Sequence, residues 1–282
     1  MATGDRVGII AGSGELPLHL ARNIHGSGKG VHIAALLGAA DASIEDPAWT
    51  TAWHGIHSLQ ELLDGLRGAD VTEVVLAGMV DHRQVFDKGR FDDRMLRFLN
   101  GLADNRGSTI LTGLVELLEE EGFRVPSLLD AAPELVPGRG FRAGPEPDAG
   151  QEADLVFGWP ITRQLADLGI GQTAVFRDRA VVAVEAMEGT DETLQRALRI
   201  TGGRVTVVKL AAVDHDFRYD VPTIGVNTVM ALTGTGHNTL AFEAGRCFVL
   251  DPEGVRSLCD RKGVTILGCE EMGSGRVRWG EG

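Results

Sequence analysis

The sequence predicts an α/β protein with an N-terminal Rossmann-like domain on a parallel sheet and a C-terminal α/β domain with a mixed sheet. Three observations predict it. Short apolar β-type runs alternate with helical periodicities through the first part of the chain, the pattern of a parallel sheet with right-handed crossovers. The pattern lapses between Val125 and Gly150, where five of the ten prolines fall (Pro126, Pro133, Pro137, Pro145 and Pro147). Beyond that lapse, strand and helix patterns resume with two alternating runs that read as a hairpin. The expected division is 1–130 for an N-terminal Rossmann-like domain, 131–150 for a Pro/Gly-rich linker, and 151–282 for a C-terminal α/β domain.

Taken in order, Arg6 to Ala11 is a β-type run that enters the turn Gly12, Ser13, Gly14. Leu16, Leu20 and Ile24 then keep helical spacing up to glycines 26, 28 and 30. Val31 to Leu37 reads as a strand, Ser58 to Leu66 as a helix opened by an N-cap serine, and Glu73 to Ala77 as a strand ending at Gly78. Helices follow at Asp92 to Leu102 and at Ser108 to Glu121, the second closed by Gly122. After the proline-rich stretch comes a helix from Glu152 to Leu168, which Pro160 is expected to kink or split. Thr173 to Phe176 and Ala180 to Glu185 alternate around Arg177, Asp178 and Arg179 as a hairpin would. A helix at Thr190 to Leu198, a strand at Val205 to Lys209 and a helix at Asn227 to Leu232 come next. The chain closes with a strand at Arg246 to Leu250, a helix at Pro252 to Lys262, a strand at Val264 to Gly268 and a mobile tail from Glu271.

Composition narrows the function classes. With 27 basic and 40 acidic groups the formal charge is −13, which disfavours non-specific nucleic-acid binding and purely electrostatic attachment to an anionic membrane. Cys247, Cys259 and Cys269 are odd in number and lack CxxC spacing, so they read as core residues of a reducing compartment. The apolar run after Arg6 is too short for a signal peptide, and the stretch from Gly30 to Ala40 falls short of a membrane span. The expected location is the cytoplasm.

Several motifs carry chemistry. GIIAGSGELP can aim free N–H groups of a helix N-terminus at an anion, although Pro17 stands where a dinucleotide fingerprint needs its third glycine. In the stretch Lys209 to Gly225 an extended backbone would put Asp216, Arg218 and Asp220 on one face, with His215, Phe217 and Tyr219 on the other. Two carboxylates on one edge suit a magnesium ion, and equally an inert edge strand whose charges neutralise each other. EAMEGTD sets Glu185 and Glu188 between a strand and a helix with Thr190 and Asp191 at its N-cap; acids there already complement the helix dipole. His19, His25, His32, His54 and His57 follow no metal spacing and read as structural. P-loop, GxSxG and CxxC patterns are absent.

GIIAGSGELP, LLEEEGF, GIGQTAVF, VVAVEAMEGTD, VVK ending at Lys209, DFRYDVPTIG and LAFEAGRCFVLD occur in the order and spacing of one family. The chain resembles the LpxI family of UDP-2,3-diacylglucosamine pyrophosphatases over nearly its whole length. The resemblance implies hydrolysis of UDP-2,3-diacylglucosamine to UMP and 2,3-diacylglucosamine 1-phosphate in lipid A biosynthesis, with magnesium or manganese as cofactor. It implies Asp220 as the critical catalytic residue and places the family's basic residue at Lys209; the mechanism expected from these residues has Asp220 and Asp216 position the metal ion while Lys209 and Arg218 neutralise charge on the leaving phosphate. Substrate binding is implied for Gly12, Ser13, Gly14, Gly78, Gln172, Glu188, Gly189, Thr190 and Asp191. Transient contact with a membrane surface and a homodimer are compatible with it, and nucleic acid is not an expected partner. Two departures stand out: Ala212, Val213, Asp214 and His215 replace a Lys-Pro-Gly-Gln run, and Ser108 sits where relatives are commonly acidic. Hydrolysis of another nucleotide-diphosphate sugar, or binding of a UDP-lipid without catalysis, are the alternative readings.

Overall fold

The computed structural model describes residues 6–80, 91–104, 106–272 and 276–280. The chain forms two compact units, one of Met1–Pro133 with Asp216–Asp220, the other of Glu134–His215 with Val221–Gly282.

The first unit opens with β1 (Arg6–Ala11), whose residues from Val7 on are all buried, as a strand covered on both faces requires. It continues through α1 (Leu16–Gly26), β2 (Gly30–Leu36), β3 (Thr50–His54), α2 (Leu59–Gly68) and β4 (Glu73–Ala77). These strands form a parallel sheet in the order β3-β2-β1-β4, so the strand order reverses at β1. Helix α1 buries Leu20, Ala21 and Ile24 and tolerates Pro17 because a first-turn N–H has no intrahelical partner. Helix α2 buries Leu59, Leu62, Leu63 and Leu66. It approaches β1 so closely that a Cβ on Gly8 would sit 2.9 Å from Leu66 and Val71. Helices α3 (Asp93–Gly101), α4 (Gly107–Glu120) and α5 (Leu128–Ala131) complete the unit.

Two sequence expectations in this unit need correction. Strand β3, reading TTAWH, was not foreseen; it pairs with β2 from His32↔Thr50 to Leu36↔His54. Ser58 occupies the N-cap of α2 but makes no side-chain cap. The orphan N–H of Gln60 donates instead to Asp92 Oδ2 at 2.8 Å, while Asp92 Oδ1 caps α3 through Met95 N at 2.7 Å.

The second unit contains β5 (Arg142–Ala143), α6 (Ala149–Asp167), β6 (Thr173–Arg177), β7 (Ala180–Val184), α7 (Thr190–Thr201) and β8 (Thr206–Lys209). There follow β9 (Thr223–Ile224), α8 (Val226–Ala231), β10 (Asn238–Glu243), β11 (Phe248–Val249), α9 (Pro252–Lys262), β12 (Val264–Met272) and β13 (Arg276–Trp279). The main sheet runs β13-β12-β10-β8-β6-β7, with β5 paired to β12. Strands β8, β10 and β12 are parallel and the others antiparallel to their neighbours, so the sheet is mixed. Alternate residues feed two cores: Val175, Val207 and Leu240 pack with α7, α8 and α9, whereas Phe176, Val208 and Ala241 pack with α6.

The expected hairpin is β6–β7, and Asp178 and Arg179 at its tip both have positive φ (52° and 59°), the geometry of a tight two-residue turn. Their N–H groups donate to the buried carboxylate of Asp154. Helix α6 runs unbroken past Pro160, where the sequence suggested a kink or a split. Gly158 explains part of its position, since a Cβ there would lie 2.5 Å from the Phe176 ring.

Three features of this unit differ from expectation. Strand β10 was missed although it is central. Its first residues, Asn238 and Thr239, are fully buried, and Asn238 bonds through both amide atoms, accepting from Val205 N and donating to Leu232 O. The run at Arg246 to Leu250 contributes only the short β11, which pairs parallel with β9. No tail begins at Glu271: β12 extends to Met272 and returns through β13, and Glu271 accepts from Trp159 Nε1 and Arg163 Nη2, each at 3.1 Å.

Candidate active site

In the first unit the residues Gly12, Ser13 and Gly14 leave β1 at the point where strand order reverses, which in open α/β sheets is where ligands bind. The turn is tied to the end of β4. Gly12 N donates to Ala77 O and Ser13 N to Met79 O, both at 2.8 Å, and Met79 N returns to Ser13 O at 3.0 Å. A Cβ on Gly12 would meet Met79 O at 2.5 Å, and one on Gly78, at φ 88°, would meet Ser13 O at 2.6 Å. These two glycines are therefore set by backbone approach, and they spend the N–H groups of Gly12 and Ser13 within the protein. Gly14 differs: its φ is 96°, and none of the described residues lies within 4 Å of a Cβ built on it.

The segment Asp216–Asp220 belongs to the same unit and is not extended. Residues 217–219 form a turn, so the expected face of Asp216, Arg218 and Asp220 does not exist. Asp216 Oδ1 accepts from Arg218 N at 3.0 Å, closing an Asx-type turn, and both its oxygens accept from the guanidinium, Oδ2 from Nη2 at 2.8 Å. Arg218 also reaches Glu119 of α4 at 3.3 Å. Bonded to these two carboxylates, its guanidinium is held charged even more firmly than usual, Asp216 being the larger cause. Tyr219 Oη and Thr112 Oγ1 of α4 share a hydrogen bond of 3.3 Å, and Leu128 N donates to Phe217 O at 2.8 Å. The turn is thus anchored on α4 and α5, and Asp220 is its last residue, half-buried.

In the second unit a connected set lies at the carboxyl end of β8. Lys209 is 4% exposed and sits opposite Thr173 of β6 in the sheet register. Its ammonium donates to Thr173 Oγ1 at 3.3 Å and Thr190 Oγ1 at 3.0 Å. Among the described residues no carboxylate pairs with it. The Thr190 hydroxyl in turn donates to Glu185 Oε1 at 2.8 Å, and Glu185 Oε2 is buried with no hydrogen-bond partner among the described residues. Gln172 is placed beside this set, its carbonyl accepting from Leu210 N at 2.8 Å. The N-cap of α7 is Gly189 (φ 83°), one residue earlier than expected, so Thr190 and Asp191 open the first turn. Glu188 is used locally: Oε2 accepts from Ala186 N, and Oε1 from Thr193 Oγ1 and, at 2.6 Å, from Arg196. Its own backbone N–H is the largest cause holding its carboxyl below the usual range, with Arg196, Ala186 N and Thr193 adding to it.

The cysteines are removed from the chemistry. Cys247, Cys259 and Cys269 are buried, and burial pushes each thiol up to about 12.

A family model described as the LpxI N-terminal domain matches residues 6–135, and one described as the LpxI C-terminal domain matches residues 138–267. The chain belongs to the LpxI family. A relative from Caulobacter vibrioides, named UDP-2,3-diacylglucosamine pyrophosphatase LpxI, is 31% identical over 276 residues, covering 94% of this chain and 98% of the relative. Within this LpxI-family chain, the site residues named from sequence fall into one group at the β1–β4 turn, one on the Asp216–Asp220 turn and one around Lys209. Sequence reasoning missed Thr173, whose place opposite Lys209 depends on an antiparallel register, and Glu119, brought to Arg218 from 99 residues away. Glu185 was visible in EAMEGTD, but its bond to Thr190 crosses a strand-to-helix turn.

The donors for the implied magnesium or manganese are few among the described residues. Both oxygens of Asp216 are taken by Arg218, and among the described residues no three His, Cys, Asp or Glu side chains are placed to hold a metal ion. No described helix is long and apolar enough to cross a membrane.

Proposed function

We propose that this chain hydrolyses the diphosphate of UDP-2,3-diacylglucosamine in the cytoplasm, releasing UMP and 2,3-diacylglucosamine 1-phosphate for lipid A biosynthesis. Family membership supports the reaction, and one observation from the structure carries the site: the buried Lys209 ammonium, which among the described residues bonds to neutral hydroxyls alone. A buried cation is costly unless an anion meets it, and a phosphate supplies that anion. Lys209 then neutralises charge developing on the phosphoryl oxygens, in a place where water screens little. Thr190 and Glu185 fix its direction, because a Thr190 proton committed to Glu185 leaves the hydroxyl lone pairs turned to the ammonium. Asp220 orients the attacking water toward the α-phosphorus, the one bearing uridine, and accepts its proton. Asp216 and Arg218 hold the turn that presents Asp220. Gly14 and the first turns of α1 and α7 bind the remaining polar groups of the substrate. A magnesium or manganese ion carried by the diphosphate would need few protein ligands, Asp220 among them, and would supply charge neutralisation at the phosphoryl oxygens.

Hydrolysis in oxygen-18 water tests the assignment, run with magnesium, with manganese and with EDTA. The expected label is in UMP; label only in the lipid phosphate refutes attack at the α-phosphorus. Asp220→Asn is expected to keep the fold and abolish turnover, and a variant with near wild-type kcat removes Asp220 from the mechanism. Tight binding of the UDP-lipid with no UMP release in any metal would make the chain a binding protein.

A further inference from the structure

The chain leaves the second unit after His215 and returns to it at Val221, and the excursion between carries Asp216–Asp220. Residues 210–216 form neither helix nor strand, so their backbone groups need partners from elsewhere. Side chains supply several of them. Ala211 O accepts from Arg163 Nη1 of α6, and Ala212 O and Val213 O both accept from Arg246 Nη2, at 2.5 and 3.0 Å. Val213 N donates to Asp167 Oδ1 at 2.8 Å. Glu243, the last residue of β10, joins the two cations: its Oε1 accepts from Arg163 Nη2 at 2.7 Å, and its Oε2 lies 3.4 Å from Arg246 Nε. We infer that Arg163 and Arg246 are positioning residues for the reaction, holding by its outgoing end the segment that presents Asp220. Their role in catalysis rests on the activity proposed above; their hold on the backbone does not.

Three observations support this role. First, the clamp is built where geometry counts. The side chains of Arg163 and Glu243 are 11% and 12% exposed, so their pair is screened little by water, and removing one partner leaves the other's charge uncompensated. Second, the stretch that supplies Arg246 also holds the returning end. Phe248 N donates to Pro222 O and Leu250 N to Ile224 O, both at 2.8 Å, so two residues of sequence separate the grip on the outgoing end from the grip on the returning one. Third, little slack remains between these grips and the carboxylate. In sequence only Asp214 and His215 separate Val213 from Asp216, and only the buried Val221 separates Asp220 from Pro222. Releasing the carbonyls of Ala212 and Val213 lengthens the free chain on the outgoing side, and a reacting group displaced by about 1 Å loses on the order of 10²-fold in rate.

The test compares UMP release from UDP-2,3-diacylglucosamine by wild type, Arg246→Ala, Arg246→Lys and Arg204→Ala, with melting temperatures and hydrogen exchange of peptides covering residues 214–221. Arg204 is the control, an arginine of the same unit whose ion pairs are with Asp148 and Asp178. Arg246→Ala is expected to lower kcat about 10²-fold and to leave KM within about threefold, the mark of a group misplaced for the chemical step. Because one nitrogen, Nη2, makes both bonds to the loop, a lysine ammonium can make them too, and Arg246→Lys should regain at least about tenfold of the loss. Arg204→Ala should change the melting temperature without changing kcat. A kcat for Arg246→Ala within about threefold of wild type, a loss matched by Arg204→Ala, or no recovery in Arg246→Lys would overturn the proposal. If Arg246→Ala does not fold, Arg246→Met, which keeps an apolar stem, takes its place in the same comparison. Should wild type release no UMP, the activity fails and hydrogen exchange decides: faster exchange over 214–221 in Arg246→Ala but not in Arg204→Ala upholds the hold on the segment, and unchanged exchange overturns it.

Discussion

Replacing Lys209 with methionine separates stability from catalysis, because the two effects have opposite expected signs. The ammonium makes two bonds to hydroxyls, at 3.3 and 3.0 Å, worth together about 3–6 kcal/mol before desolvation. Burial of an ammonium costs several kcal/mol, and no carboxylate offsets it among the described residues. The two terms nearly cancel. Methionine keeps an unbranched side chain, removes the desolvation cost, and leaves Thr190 still bonded to Glu185. Stability should change by about 0 to +2 kcal/mol, a rise of up to several degrees in Tm at about 2–4 °C per kcal/mol. Turnover should fall about 10²- to 10³-fold, the usual loss when one preorganised donor to a developing oxyanion is removed. Differential scanning calorimetry and a UMP-release assay on the same preparation measure both. A variant that melts more than about 5 °C lower yet keeps kcat within about threefold would show Lys209 to be a structural residue and refute the reasoning.

Two further predictions concern the fold. Burial lowers the pKa of His32, His54 and His237, so the folded state keeps these rings neutral below the pH at which the unfolded chain protonates them. Stability is then fully present above about pH 6.5 and falls as pH drops below it, by at most about 1.4 kcal/mol per pH unit for each ring. Urea midpoints between pH 8 and pH 5 read this, and His54→Leu should flatten the slope by one proton; an unchanged slope would exclude His54. Asp92→Ala removes the acceptor from the first turns of both α2 and α3 and should cost about 1–3 kcal/mol. Asp92→Asn, which retains an acceptor, should recover part of that in denaturant melts, and equal losses for the two variants would argue against capping.

Which parts of this molecule could be read from its sequence follows from where the information resides. Strands such as β1 and β8 announce themselves because each centres on a short apolar run, Val7 to Ala11 ending at Gly12 and Val207–Val208 before Lys209. Strand β10 does not, since Asn238 and Thr239 look like turn residues. Only the fold reveals that Asn238 satisfies two backbone groups of neighbouring segments. The same limit governs the site. The glycines at 12 and 78 were legible as a special turn, but the sequence could not say that they face each other across two strand ends.

The stretch from Asp216 to Asp220 shows the limit most clearly, and it also shows what replaces the pattern argument. Alternation put Asp216, Arg218 and Asp220 on one face and suggested a pair of metal-binding carboxylates. A short carboxylate two residues before an arginine can also close an Asx turn on that residue's N–H, and here it does, taking the guanidinium as well. Local hydrogen bonding outcompetes the extended backbone because Pro222 and the buried Val221 allow the chain only two residues before it must extend again. Of the two carboxylates, Asp216 is thereby committed to shaping the loop. Asp220, at the loop's last position, is the carboxylate that the family resemblance names for the chemistry. Arg218 faces Asp216 and Glu119, whereas Lys209 in the second unit bonds, among the described residues, to hydroxyls alone, which is why the proposed chemistry takes Lys209 as its cation.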